Sequence, residues 1–147
     1  MQKDILKTWF IQQSPGEVWE YLTKSELIEQ WLTKNDFKPI VGHKFQFISS
    51  PKTAGDKPSH AYCEVLEIIP QKLLSYSWRK GINENEIAVD SVVVWKLMDK
   101  DGGTELQLQH NGFKIIEDAI AHDNGWNYCL NRMIQLINSS SHANTNA

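Results

Sequence analysis

Five histidines and two cysteines carry the widest chemical repertoire in this 147-residue sequence, and their spacing limits what they can do. A zinc site draws on ligands at close spacing plus one or two from elsewhere in the chain. No HxH or HxxxH pair occurs, and His43 and His60 lie on or beside a polar loop, so neither a metal nor another cofactor is expected. Cys63 and Cys129 sit in no recognisable nucleophile motif and are too few for a disulfide framework. Gly102 and Gly103 are flanked by strand patterns rather than leading into a helix, which excludes a phosphate-binding loop. No motif assigns a catalytic residue. One acid–base arrangement stays open: Glu67 with His110, and Tyr76 beside them, provided that they face a common space. Such chemistry needs hydrogen-bond reach to the reacting atom, and the alternation around Glu67 leaves it free to point either way.

The aromatic pattern is stronger. Six tryptophans occur in this short chain, and large rings often line cavities or interfaces. Phe45 and Phe47, Tyr76 and Trp78, Val93 and Trp95, and Leu108 and His110 alternate along four strand-like segments. Trp126 and Met133 fall on the apolar stripe of a helix-like one. Ligand pockets are walled by apolar side chains with a few polar groups that fix orientation; Tyr76 and His110 suit that role. These ten residues are the candidate ligand-binding set, although the same side chains are equally able to fill a core.

The elements that must position them follow from periodicity. Residues 5–11 read as a strand rich in β-formers. "SPGEVWEYL" then carries a capping serine, Ser14, with Pro15 at the first helical position and Glu17 three residues after the cap. A second short helix, "SELIEQWL", spaces Leu27, Ile28 and Trp31 for one face. From Gly42 onward about five strands succeed one another, broken by the polar stretch "SSPKTAGDKPSH" and by the hairpin turn "DKDGGT". The inward face of the strand at 61–69 is undetermined, since both parities hold apolar residues. A helix over about 115–138 closes the chain, its apolar stripe running through His122, Trp126, Cys129, Leu130, Met133 and Ile137. Glycine inside a helix costs about 1 kcal/mol relative to alanine, so Gly125 is expected to mark a close approach of the helix backbone to a strand or loop. Consecutive strands with short turns imply an antiparallel meander, and helices segregated from it place the chain in the α+β class.

The length fits one domain, 1–138, followed by a polar tail, 139–147, that reads as disordered. A net charge of −3 and the lack of a basic run argue against nucleic-acid binding. No apolar stretch is long enough to insert in a membrane, and "MQKDILKTWF" lacks a signal-peptide layout, so a cytoplasmic location is expected.

Taken in order, "SPGEVWEYLTKSELIEQWL", "GHKFQF", "EVLEIIPQKLLSYSW", "GGTELQLQHNGF" and "HDNGWNYCLNRMIQL" resemble the Hsp90-ATPase activator homologue 1-like family. That family lies within the START-like, Bet v 1-like superfamily also called SRPBCC. The resemblance spans about residues 5–137. It implies a helix-grip fold: a curved antiparallel sheet of about six strands around a long C-terminal helix, with two short helices after strand 1 and a cavity between sheet and helix. Members of the superfamily bind lipids, polyketides and plant phenolics, and some branches are cyclases or hydroxylase subunits. No universal catalytic residue carries over.

Three readings follow, in descending order. The first is a binder or carrier of a hydrophobic small molecule. The second is a cyclase- or hydrolase-type enzyme using His110, Tyr76 or Glu67. The third is an Hsp90-type chaperone cofactor or interaction module. It ranks last because the N-terminal domain that does much of the chaperone binding in the eukaryotic relatives has no counterpart in this sequence. A homodimer is compatible with all three.

Overall fold

The computed structural model describes residues 4–49 and 60–145, with side chains as far as Ser139. Residues 50–59 of the polar stretch and the last two residues of the tail lie outside the described residues. The order is β1 (Ile5–Ile11), α1 (Pro15–Thr23), α2 (Ser25–Trp31), β2 (Lys34–Asn35), β3 (Lys44–Ile48), β4 (His60–Ile69), β5 (Leu73–Asn83), β6 (Glu86–Lys100), β7 (Gly103–Asn111) and α3 (Ile116–Thr145). All strands among the described residues join one antiparallel sheet in the order β1-β7-β6-β5-β4-β3-β2. The sheet curls into a half-barrel around α3, as the helix-grip expectation holds, with seven strands rather than about six. The additional strand, β2, is two residues long and therefore has no alternation to read.

Local chemistry sets the ends of the elements. The Glu17 N–H donates to the Ser14 hydroxyl at 3.2 Å, starting α1 and turning Val18 and Leu22 inward. The Trp31 indole N–H donates to the Tyr21 carbonyl at 2.8 Å and folds α2 back onto α1. Asp101 and Gly102 both take positive φ, at 51° and 79°, which gives the tight β6–β7 hairpin its twist.

Alternation puts one parity of each strand on the concave face. Phe45 and Phe47, Leu74, Tyr76 and Trp78, Val93, Trp95 and Leu97, and Leu106, Leu108 and His110 are all buried. On β4 the inward residues are Ala61, Cys63 and Val65; a bulge between Val65 and Glu67 then resets the alternation. Leu66 and Glu67 are consequently both exposed. The acid–base pairing of Glu67 with His110 is thereby excluded, because an inserted residue flips the parity a regular strand would have kept.

α3 begins at Ile116 and continues as helix beyond residue 138 to Thr145. Its inward stripe is Ala119, Trp126, Leu130, Met133 and Ile137. The expected close approach at Gly125 does not occur: a Cβ built there meets nothing within 4 Å. With 3.6 residues per turn, an inward Trp126 rotates its neighbour about 100° away from the sheet. The tightest approach is instead at Gly81, where a Cβ would lie 2.1 Å from the Glu86 carbonyl oxygen, across the irregular end of the β5–β6 pair.

Candidate functional site

The ten candidate residues share one interior, and it has two unlike ends. At the first, Phe45 contacts Phe37, Phe47 and Tyr76 with ring centroids 5.0, 5.3 and 5.4 Å apart. The Trp95 indole N–H donates to the Tyr76 hydroxyl at 2.9 Å, and Trp31 packs edge-on against Trp95. Burial pushes the Tyr76 phenol far above its usual range, so it stays neutral. Val93, Leu108 and Met133 are fully buried between the sheet and α3.

The other end is built from two tryptophans and two histidines, one of each on the sheet and one of each on α3. Trp126 on the helix donates its indole N–H to Nδ1 of His110 on β7 at 3.0 Å. Trp78 on β5 donates its indole N–H to Nε2 of His122 on the helix at 3.3 Å. An indole nitrogen is a donor only, so each accepting ring nitrogen carries no proton. His110 therefore holds its proton on Nε2 and donates to the Ser91 hydroxyl at 2.8 Å, which in turn donates to the Trp78 carbonyl at 2.9 Å. His122 holds its proton on Nδ1 and donates to the Asp118 carbonyl at 2.8 Å. Burial, with the His122 ring and the Lys80 ammonium nearby, lowers the His110 pKa to about 3; burial also lowers that of His122.

This accounting decides what the histidines can do. All four ring nitrogens are engaged, which leaves His110 without a free lone pair for a metal or a substrate proton. Among the described residues no three His, Cys, Asp or Glu side chains converge on one point. Both thiols are raised by burial, which keeps them protonated and weakly nucleophilic.

A cleft of about 170 Å³ opens beside the second end. Trp78 and Trp126 line it, together with Leu32, Lys80, Ala121, His122, Gly125 and Cys129. Of the ten candidates only these two tryptophans reach it; the other eight are packed into the core behind. Ser91, Lys80 and Leu32 were missed. Parity offered the signal for two of them, since Lys80 continues the Leu74–Tyr76–Trp78 series and Ser91 precedes Val93 and Trp95. A larger polar depression, about 330 Å³, lies over the outward residues of β3–β5, among them Gln46, Tyr62 and Glu64. No helix among the described residues is long and apolar enough to cross a membrane.

Comparison with known proteins agrees with this architecture. The protein MLL2253 from Mesorhizobium loti is 32% identical, with a TM-score of 0.80 over 92% of this chain and 97% of its own. CalU16 from Micromonospora echinospora is 21% identical over 91% of this chain and 73% of its own, at a TM-score of 0.72. Aha1 from Colwellia psychrerythraea, a dimer in solution, is 17% identical over 91% and 95%, at 0.71. No curated protein matches the sequence. The family model described as "Activator of Hsp90 ATPase homolog 1-like protein" matches residues 12–138, nearly the whole sheet and most of α3, and the chain belongs to that family.

Proposed function

We propose that this protein binds a small hydrophobic molecule, one ring or a short chain in size, in the cleft between α3 and β5. The observation that carries the reading is the tryptophan-lined cleft at Gly125, beside closely packed aromatic rings. Its volume supports a size limit. An apolar cavity of about 150 Å³ accommodates benzene, whereas drug-sized ligands occupy roughly 300–1,000 Å³. A whole lipid or multi-ring polyketide therefore enters only if α3 moves away from the sheet. DynU16, encoded in the dynemicin biosynthetic locus, shares the fold at 16% identity and a TM-score of 0.79, with this chain spanning 49% of its length. At that identity it supports the scaffold and not the ligand.

The test is a thermal-shift titration with single-ring acids, amides and alcohols, read beside tryptophan fluorescence. A ligand of the native state raises apparent stability with concentration. Ala121→Phe, at an exposed helix position lining the cleft, is expected to abolish the shift without unfolding the protein. No shift with any probe, or an undiminished shift in the filled variant, would sink the proposal.

A further inference from the structure

Two lysines face α3 from the sheet, and they are not equivalent. On β1, Lys7 shares its parity with the buried Ile5 and Ile11, and its ammonium pairs with Asp123 of α3 at 3.0 Å. On β5, Lys80 continues the inward series Leu74, Tyr76 and Trp78 and sits opposite the buried Val89. Lys80 is half-buried, yet among the described residues its ammonium has no hydrogen bond or ion pair. Asp118, in the first turn of α3, acts on it through space without closing to a contact. Glu86, on the neighbouring strand, has its carboxylate engaged by the Asn83 amide.

Lys80 also stands where two concavities meet. It lines the tryptophan cleft and an adjoining groove of about 500 Å³, and His122 is common to both. His122 cannot supply an anion with a donor there, since its one N–H is spent on the Asp118 carbonyl and its other nitrogen accepts from Trp78. Among the described residues that line this junction, Lys80 is the one cation. The Lys80 ammonium still reaches solvent, since no described side-chain nitrogen is buried without a partner, but it is partly desolvated. A carboxylate that meets it there forms a charge-assisted hydrogen bond in a site of lowered dielectric.

We propose that the occupant of the cleft is an organic acid, its carboxylate held by Lys80 at the junction and its ring or short alkyl body lying against Trp78 and Trp126. This deepens the binding reading above and rests on it. Burial lowers the ammonium's pKa while Asp118 raises it, so the site holds its charge more firmly once a second carboxylate arrives.

Calorimetric titration with hydrocinnamate and the matched uncharged hydrocinnamamide, at neutral pH and low salt, tests the assignment. Wild-type protein is expected to prefer the acid at least about tenfold, equivalent to about 1.4 kcal/mol. Lys80→Met keeps the apolar stem and is expected to erase that preference, lowering acid affinity more than amide affinity; Lys80→Arg is expected to restore it. Asp118→Asn removes a competing carboxylate and is expected to tighten acid binding. Equal affinity of acid and amide in wild type would overturn the acid assignment while leaving the cleft as a binding site. A preference that survives in Lys80→Met would overturn the role of Lys80. Failure of both compounds to bind wild type would instead remove the binding reading itself.

Discussion

The two ends of the interior use the same residue types for opposite purposes. Around Phe37, Phe45, Tyr76 and Trp95 the rings interlock and the one polar pair, Trp95 to Tyr76, is sealed within them. Around Trp78, Trp126, His110 and His122 the rings are just as close, with Trp78 and Trp126 centroids 5.4 Å apart. Every indole N–H there is spent on a histidine instead, and a cleft opens alongside. Aromatic density alone does not distinguish core from site. What separates them is where the polar atoms of the rings find partners, and whether the covering element leaves a gap.

The sharpest way to break this contrast is to truncate the sealed end. Trp95→Ala removes a fully buried ring and leaves the Tyr76 hydroxyl without its donor. It should cost about 3–5 kcal/mol in urea denaturation; a loss below about 1 kcal/mol would show that this end is not the close-packed one.

Acid should act at the opposite end. The folded-state pKa values of His110 and His122 lie below the ordinary 6.5, so between the folded and unfolded values the unfolded chain binds more protons. Stability is then full above about pH 6.5 and declines as pH falls toward the folded values, at up to about 1.4 kcal/mol per pH unit for each group. For His110, with a folded value of about 3, the loss by pH 5 is about 2 kcal/mol. Lys80 and the Lys7–Asp123 pair add positive and compensated charge beside these rings and do not reverse the sign. Urea midpoints at neutral and mildly acidic pH measure it, and a flat profile would contradict the neutral-histidine network.

The smallest effect concerns the gap. Gly125→Ala meets no neighbour within 4 Å and should stabilise the protein by about 0.5–1 kcal/mol, read as a higher melting temperature. A destabilised variant would mean that the glycine does more than leave the cleft open.

These contrasts also mark how far the sequence could be read. β1, the inward faces of β3 and β5–β7, and the buried stripe of α3 were legible because period-two and period-3.6 patterns act within one element. The β4 face was not, because the bulge at Val65/Glu67 changes the parity midway and nothing in "CEVLEII" announces it. Gly125 misled for a related reason. Its cost in a helix is intrinsic, whereas its cause depends on which way the helix is rotated, and that is fixed by Trp126 against the sheet. The cleft was illegible as such: the pattern locates the tryptophans inside, but an opening arises from residues absent at its edge. Lys80 was readable by parity, yet a lysine at the end of a strand is ordinarily assigned to solvent.

The paired indole–imidazole bonds bear on mechanics as well as acidity. A helix resting on apolar side chains can slide or roll by small amounts at little cost, since dispersion has no preferred direction. Here one bond runs from helix to sheet and the other from sheet to helix, through His122 and Trp126 one turn apart. A slip of one residue moves α3 by about 1.5 Å along its axis and about 100° around it, which would break both bonds at once. The pair therefore acts as a two-pin key that sets α3 in a single position. Any molecule large enough to lift the helix must first unseat both pins, whereas one small enough for the cleft leaves them in place.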